Sequence, residues 1–234
     1  MRKTFLPLFG LWRTLPALRS HAVRRILLKQ IYFTSNQAAY LVALIGFALG
    51  AIVVLQLHDV YGQSWESSLR ILGRLGMNEL APLLGSLIMV ARSASAVASE
   101  LANMRANGEF RCLSRHGIDV AEYLLLPRVL GMTVSAMVLS GCMALFALAG
   151  GIIFSAGWDA GYQIAQVERM LQPGWIMVCI GKSALFGFSA GILASGVGLI
   201  TKPLPTEIPK AASRAVFIGI LMLFVIDFVW SLIL

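Results

Sequence analysis

The sequence predicts an all-α integral membrane protein with about five transmembrane helices. Hydrophobic residues make up 58% of the 234-residue chain and charged residues only 13%, whereas soluble domains are about 45–50% apolar. The mean hydropathy is +0.80. The apolar residues are gathered in runs of about 20, the length that crosses about 30 Å of hydrocarbon at 1.5 Å per residue. Lipid is therefore the expected solvent of these segments.

Residues 1–35 form a basic N-terminal region. It contains seven Lys and Arg residues and no acidic residue: Arg2, Lys3, Arg13, Arg19, Arg24, Arg25 and Lys29. From residue 18 onward, the basic residues alternate with apolar ones at helical spacing, which predicts an amphipathic helix in the headgroup region. The net charge of +8 is thus better explained by a membrane surface than by nucleic acid.

Residues 36–234 form the predicted transmembrane domain. The five spans are expected at about 36–57, 79–98, 124–154, 174–200 and 215–234. Gly46 with Gly50, and Gly187 with Gly191, have the four-residue spacing that lets two membrane helices approach closely. The mixed stretch 58–78 is expected to be an interfacial loop with a short half-helix.

The segment 99–123 between the second and third spans is polar. It carries charges of both signs and is punctuated by Gly108 and Gly117, which predicts a short helix and a turn. Such a helix, joined rigidly to two spans, could receive force from a separate motor. The alternative is an ordinary solvated loop.

The distribution of Lys and Arg predicts the orientation of the chain. The N-terminal region, the segment 99–123 and the turn 202–214 alternate correctly to share one side, and all three are basic. Basic connections stay in the cytoplasm. We therefore expect a multi-pass membrane protein with its N-terminus in the cytoplasm and its C-terminus on the opposite side. Arg70 and Arg74 in the opposite loop run against this pattern.

No catalytic residue, metal site or cofactor site is predicted. Gly181-Lys182-Ser183 resembles the end of a phosphate-binding loop, but Ile176 stands where that motif needs a glycine. The three histidines lack metal-ligand spacing, and no serine has a recognisable base. Intrinsic ATPase activity is therefore not expected.

Three charges lie inside apolar spans, where ionisable residues are costly and mark functional sites. Three roles are open for Arg92 in the second span: it snorkels to the headgroups, it faces a central cavity, or it ties its helix to a neighbour. Lys182 and Asp227 lie on antiparallel spans at a similar depth below one surface. They are expected either to form a buried ion pair or to contact a lipid headgroup.

An ordered series of motifs resembles the MlaE (YrbE) permease family. The series comprises Glu79-Leu80-Ala81-Pro82, Ala91-Arg92-Ser93, Glu100-Leu101-Ala102-Asn103-Met104-Arg105, Gly117-Ile118-Asp119, Tyr123-Leu124 and Pro127-Arg128. Weaker similarity extends over nearly the whole chain.

The resemblance implies a permease subunit of an ABC-type lipid transporter. It implies a homodimer, a cytoplasmic ABC ATPase that binds the ATP, a periplasmic MCE-domain protein, and in many cases a STAS-domain protein. The cargo would be phospholipid or a related lipid, moved between inner and outer membranes. The chain itself would lie in the bacterial inner membrane, with its C-terminus in the periplasm. By this similarity the coupling segment 99–123 docks on the ATPase through Glu100, Met104, Arg105, Glu109, Arg111, Arg115 and Asp119.

Two other functions are compatible with a chain of this kind. An ATP-independent lipid or amphiphile carrier would be expected to show internal repeats or broken helices with polar groups at the midplane. A membrane scaffold for an MCE-protein assembly would need no enclosed cavity. Arg92, Lys182 and Asp227 are candidates for the lipid pathway in the transporter interpretation.

Overall fold

A computed structural model describes residues 21–59, 62, 64–117, 120–156 and 172–233, and these residues are helical apart from short turns. The helices are α1 His21–Asp59, α2 Trp65–Ala106, α3 Glu109–Arg115, α4 Leu126–Ala156, α5 Pro173–Ile200 and α6 Ile208–Ile233. Five of them, all except α3, are long and apolar enough to cross a membrane. The predicted fold class is confirmed.

Within the described residues, three π-helical segments interrupt the regular α-helical geometry. Gly76–Leu80 and Val90–Ala94 lie within α2, and Ala121–Leu125 leads into α4. A π segment shifts the side chains that follow it around the helix axis, and such segments are frequent at functional sites. The segments in α2 contain Glu79 and Arg92, so both charged residues stand where the helix is locally widened.

Several helices are longer than the predicted spans. The expected boundary between residues 35 and 36 falls inside α1, which is one continuous helix. The orientation of its first turns at a membrane stays a prediction. α2 begins at Trp65, so the short half-helix expected in the stretch 58–78 is present, but it continues without a break into the second span. Its first turn is capped by the Ser64 hydroxyl, which accepts from the Ser67 N–H. α6 begins at Ile208 instead of near residue 215.

Glycines set the closest helix contacts. A Cβ atom on Gly50 would overlap the backbone of Ala147, and one on Gly187 would lie 2.7 Å from the Met132 carbonyl oxygen. Gly46 faces Met143 one turn before Gly50 faces Ala147, so α1 runs parallel to α4. Gly187 faces Met132 and Gly191 faces the earlier Val129, so α5 runs antiparallel to α4. The predicted close-packing role of the two glycine pairs is confirmed.

These contacts place the ends of the helices on two sides. α1, α4 and α6 begin, and α2 and α5 end, on the side where α3 lies, hereafter the α3 side. All five long helices contribute to one buried apolar cluster, while large apolar side chains such as Tyr40, Leu145, Met177, Phe217 and Leu232 are exposed. An apolar exterior around an apolar core is the arrangement that a bilayer requires.

Candidate functional site

A buried cluster of charges joins α2, α5 and α6 away from the α3 side. The Lys182 side chain is fully buried, and its Nζ lies 2.7 Å from Asp227 Oδ1. The same ammonium donates a hydrogen bond to Glu79 Oε2 and a longer one, 3.4 Å, to the Asn78 carbonyl oxygen. We call Lys182, Asp227 and Glu79 the Lys182 cluster.

The Lys182 cluster agrees with the expected ion pair and adds a carboxylate to it. Lys182 and Asp227 approach each other because α5 and α6 are antiparallel and both charges lie at the same depth. Two carboxylates face one ammonium, so the cluster has a formal charge of −1. Asp227 is 21% exposed and Glu79 is 40% exposed. Part of the negative charge can therefore interact with a ligand or solvent.

A cavity of about 450 Å³ opens beside this cluster and includes Glu79 in its wall. Arg74 and Asn78 of α2 line it together with Trp230 of α6. Asn78 Oδ1 and Trp230 Nε1 are buried and have no hydrogen-bond partner among the described residues. Unsatisfied buried polar atoms are costly, so these two atoms mark a polar region in the wall of the cavity.

Arg92 lies about 20 Å along α2 from Glu79, since 13 residues separate them. Its guanidinium donates to both the backbone carbonyl and the side-chain Oε1 of Gln37 on α1. It also lines a second cavity, of about 490 Å³, between α1, α2 and α4. Of the alternatives drawn from the sequence, the structure therefore favours a tie to a neighbouring helix beside a cavity.

Arg128 is a residue that sequence reasoning did not single out as a site. Its guanidinium lies 2.8 Å from Glu100 Oε1, donates to the Leu124 carbonyl oxygen and approaches Met104 Sδ at 3.9 Å. Arg128 is 4% exposed. Because Glu100 and Met104 both contact it, these two predicted coupling residues connect α2 to α4 within the subunit.

The remaining predicted coupling residues lie at the surface on the α3 side. Arg105 occupies the last turn of α2, Glu109 opens α3, and the exposed Arg111 and Arg115 follow along it. Asp119 lies outside the described residues. Gly108 (φ 75°) and Gly117 (φ 72°) adopt left-handed conformations at the two ends of α3, as their punctuating role in the sequence suggested.

Glu79 and Arg128 were not predicted as site residues, although each belongs to one of the sequence motifs described above. Glu79 opens the Glu79-Leu80-Ala81-Pro82 motif and Arg128 closes the Pro127-Arg128 motif. Neither could be paired from the sequence, because the partners lie 103 and 28 residues away and on other helices. A charge at the edge of an apolar span was the available signal.

The chain matches a known family over most of its length. The family model described as Permease MlaE matches residues 27–233. A probable ABC transporter permease protein from Synechocystis is 28% identical over 156 residues, which cover 65% of this chain and 59% of that protein. The chain thus spans less than two thirds of that relative.

Two further relatives have more descriptive names. The intermembrane phospholipid transport system permease protein MlaE of Haemophilus influenzae is 25% identical over 97% of this chain and 88% of its own length. The chloroplastic protein TRIGALACTOSYLDIACYLGLYCEROL 1 of Arabidopsis thaliana is 27% identical over 65% of this chain and 45% of its own length. All three relatives are less than 30% identical to this chain. The match to the Haemophilus influenzae protein nevertheless covers most of both chains.

Proposed function

This chain belongs to the MlaE permease family, and on that premise we propose that it is the membrane-spanning subunit of an ABC-type lipid transporter. The proposed cargo is a phospholipid moved between inner and outer membranes. Work would come from a separate cytoplasmic ABC ATPase that binds the ATP. The similarity to a protein named for intermembrane phospholipid transport supports the cargo.

The main support for the proposal is that α2 connects the Lys182 cluster with the α3 side of the protein. This one helix holds Glu79 of the Lys182 cluster near one end and Arg105 near the other, about 39 Å away for 26 residues. α3 follows it after a two-residue turn. A displacement of α3 by a docked motor would therefore move the wall of the cavity beside the Lys182 cluster.

The chemistry of that cavity suits a lipid. Arg74 is exposed and can bind a phosphate, while Glu79, which is 40% exposed, can accept from an amine or hydroxyl group. The apolar outer faces of the helices suit acyl chains, since each buried methylene contributes about 0.8 kcal/mol. Motor-driven narrowing of the cavity would expel or admit the lipid.

The remaining partners follow from the family. We propose a homodimer, a periplasmic MCE-domain protein that exchanges lipid with it, and in some assemblies a STAS-domain protein. The outer face of α6, with Phe217, Leu221, Phe224 and Phe228, lines an apolar groove of about 480 Å³. Within one subunit, α6 is also the least buried of the five spans. Its exposed face is therefore available for contact with a second copy of the chain.

Co-purification tests the proposal. A tagged chain extracted from native membranes in mild detergent should retain an ATP-hydrolysing subunit and a periplasmic lipid-binding protein. Arg111→Glu should reduce the recovered ATPase several-fold because it reverses charge on exposed α3. Arg70→Glu is the matched control, because it makes the same change at an exposed residue on the opposite side. Equal recovery from both variants would place the docking surface elsewhere.

The carrier and scaffold alternatives predict different results. A motor-independent carrier should co-purify without an ATPase and still bind lipid. A scaffold should co-purify with the periplasmic protein but without lipid at a defined stoichiometry. The cavity beside the Lys182 cluster favours a lipid-binding function over a scaffold.

A further inference from the structure

A second cavity lies on the other half of the protein, toward the α3 side. It measures about 490 Å³ and is enclosed by α1, α2 and the residues that lead into α4. Its volume falls within the range of small-molecule sites, about 300–1,000 Å³. It is separate from the cavity beside the Lys182 cluster, because Arg92 and Glu79 are about 20 Å apart along α2.

The charged lining of this cavity is basic. Lys29, Arg92 and Arg128 contribute three positive charges and Glu100 contributes one negative charge, a formal balance of +2. The carboxylate of Glu100 pairs with Arg128. Among the described residues, no carboxylate lies within ion-pair distance of Lys29 or Arg92. The lining therefore attracts an anion.

Both of the uncompensated cations keep hydrogen-bond donors. Arg92 donates from its two terminal nitrogens to Gln37, and a guanidinium has five N–H donors. This contact fixes the guanidinium while three donors remain. Lys29 stands over the ring of Phe33, with Nζ 5.9 Å from the ring centroid, and its ammonium has three donors. Phosphate oxygens accept charge-assisted hydrogen bonds from cations of both kinds.

The apolar part of the lining specifies the rest of the ligand. Ile26 and Phe33 of α1 border the same cavity, and the next turns of α1 expose Tyr40, Leu41 and Leu44 toward the membrane. An anion with an attached acyl chain satisfies both parts. Residues 1–20 contain basic residues and no acidic one, so they would not supply the anion.

We propose that this cavity binds the phosphate of a glycerophospholipid from the leaflet on the α3 side. Lys29 and Arg92 donate to the phosphate oxygens, and Ile26 and Phe33 contact the first part of an acyl chain. The site requires only that the helices span the membrane. It does not depend on the ATPase, on the periplasmic partner or on the direction of transport.

Photo-crosslinking of the purified full-length chain in detergent tests this site. The probe is phosphatidylglycerol with a photoreactive group close to the headgroup, and the crosslinked peptides are identified by mass spectrometry. We expect crosslinks in the residues of α1 and α2 that line the cavity. Excess phosphatidylglycerol should compete, whereas diacylglycerol, which has no phosphate, should not.

Variants separate the site from general charge attraction. The double variant Lys29→Gln/Arg92→Gln should reduce crosslinking at the cavity about tenfold, the effect expected for loss of charge-assisted hydrogen bonds. The control Lys202→Gln/Arg214→Gln removes the same two charges from exposed positions on the same side. It should change crosslinking less than twofold.

Several outcomes would overturn the proposal. Equal competition by diacylglycerol would mean that the phosphate is not recognised. Displacement by millimolar inorganic phosphate alone would mean a free-anion site instead of a lipid site. Crosslinks confined to the cavity beside the Lys182 cluster would place the headgroup elsewhere. The competition series uses the unmodified chain, so it decides the matter even where the double variant fails to fold.

Discussion

At the scale of single residues, Lys182 is a fully buried cation whose charge must be compensated by neighbouring carboxylates. Its ammonium is fully buried between Asp227 and Glu79, and an ammonium without a carboxylate at that depth would be very costly. The pair with Asp227 could be predicted because both charges interrupt apolar spans. The contribution of Glu79 could not, because the start of α2 and its π segment are not visible in the hydropathy.

Lys182→Met should destabilise the protein, because it leaves two carboxylates facing each other without a cation. We expect a loss of up to about 3 kcal/mol, the low end for broken buried pairs, since Glu79 keeps 40% exposure. Thermal unfolding in detergent measures it. Glu79→Gln/Lys182→Met/Asp227→Asn should recover most of the stability without restoring lipid transfer. A triple variant that transports normally would remove the cluster from the lipid pathway.

The contact between Arg128 and Glu100 is expected to be weaker. Glu100 keeps 58% of its side chain exposed, so solvent screens the pair, and a double-mutant cycle should give a coupling energy of about 0.5–1 kcal/mol. Arg128→Gln alone should cost more than Glu100→Gln alone, because Arg128 also donates to the Leu124 carbonyl. Equal single costs would contradict this account of Arg128.

At the scale of helices, close packing depends on particular glycines. Gly50→Ala should destabilise the protein by about 1–3 kcal/mol, the usual cost of overpacking, because the new Cβ meets the backbone of Ala147. Gly141→Ala on α4 is the matched control, since no atom lies within 4 Å of its Cβ position. It should be neutral or stabilising by up to about 1 kcal/mol. Unfolding in detergent compares the two, and equal effects would contradict the packing.

The turn before α3 requires a left-handed residue. Gly108 has φ 75°, a conformation that costs most L-residues about 1–2 kcal/mol and that asparagine tolerates better. Gly108→Val should therefore displace α3 and reduce the ATPase that co-purifies, while Gly108→Asn should largely preserve it. Identical recovery from both variants would mean that the position of α3 does not matter for docking.

The hydropathy of the sequence predicted the presence of the five long helices more accurately than the residues at which they begin and end. Hydropathy located all five spans because lipid-facing surfaces need continuous apolar runs. It did not show that the half-helix expected around Arg70 and Arg74 is continuous with the second span, because the polar residues end the apolar run while the helix goes on. It also divided α1 into two parts, because an amphipathic stretch and an apolar one differ in composition while their backbone continues unbroken.

At the scale of the whole molecule, the proposed orientation can be read from a natural cysteine. Cys112 on α3 is exposed, whereas Cys142 is half-buried and Cys179 is buried. A membrane-impermeant maleimide should label the chain in inverted inner-membrane vesicles and not in intact spheroplasts. Cys112→Ser should abolish the signal. Labelling of Cys112 in intact spheroplasts would place α3 in the periplasm.

The central claim is that this chain moves phospholipid only with work from another subunit, received through α3. The most direct measurement compares ATP hydrolysis and fluorescent phospholipid transfer in proteoliposomes that contain either the co-purified assembly or the chain stripped of its partners. We predict ATP-dependent transfer by the assembly, and neither hydrolysis nor transfer by the chain alone. Hydrolysis by the stripped chain, or equal transfer without ATP, would contradict the claim.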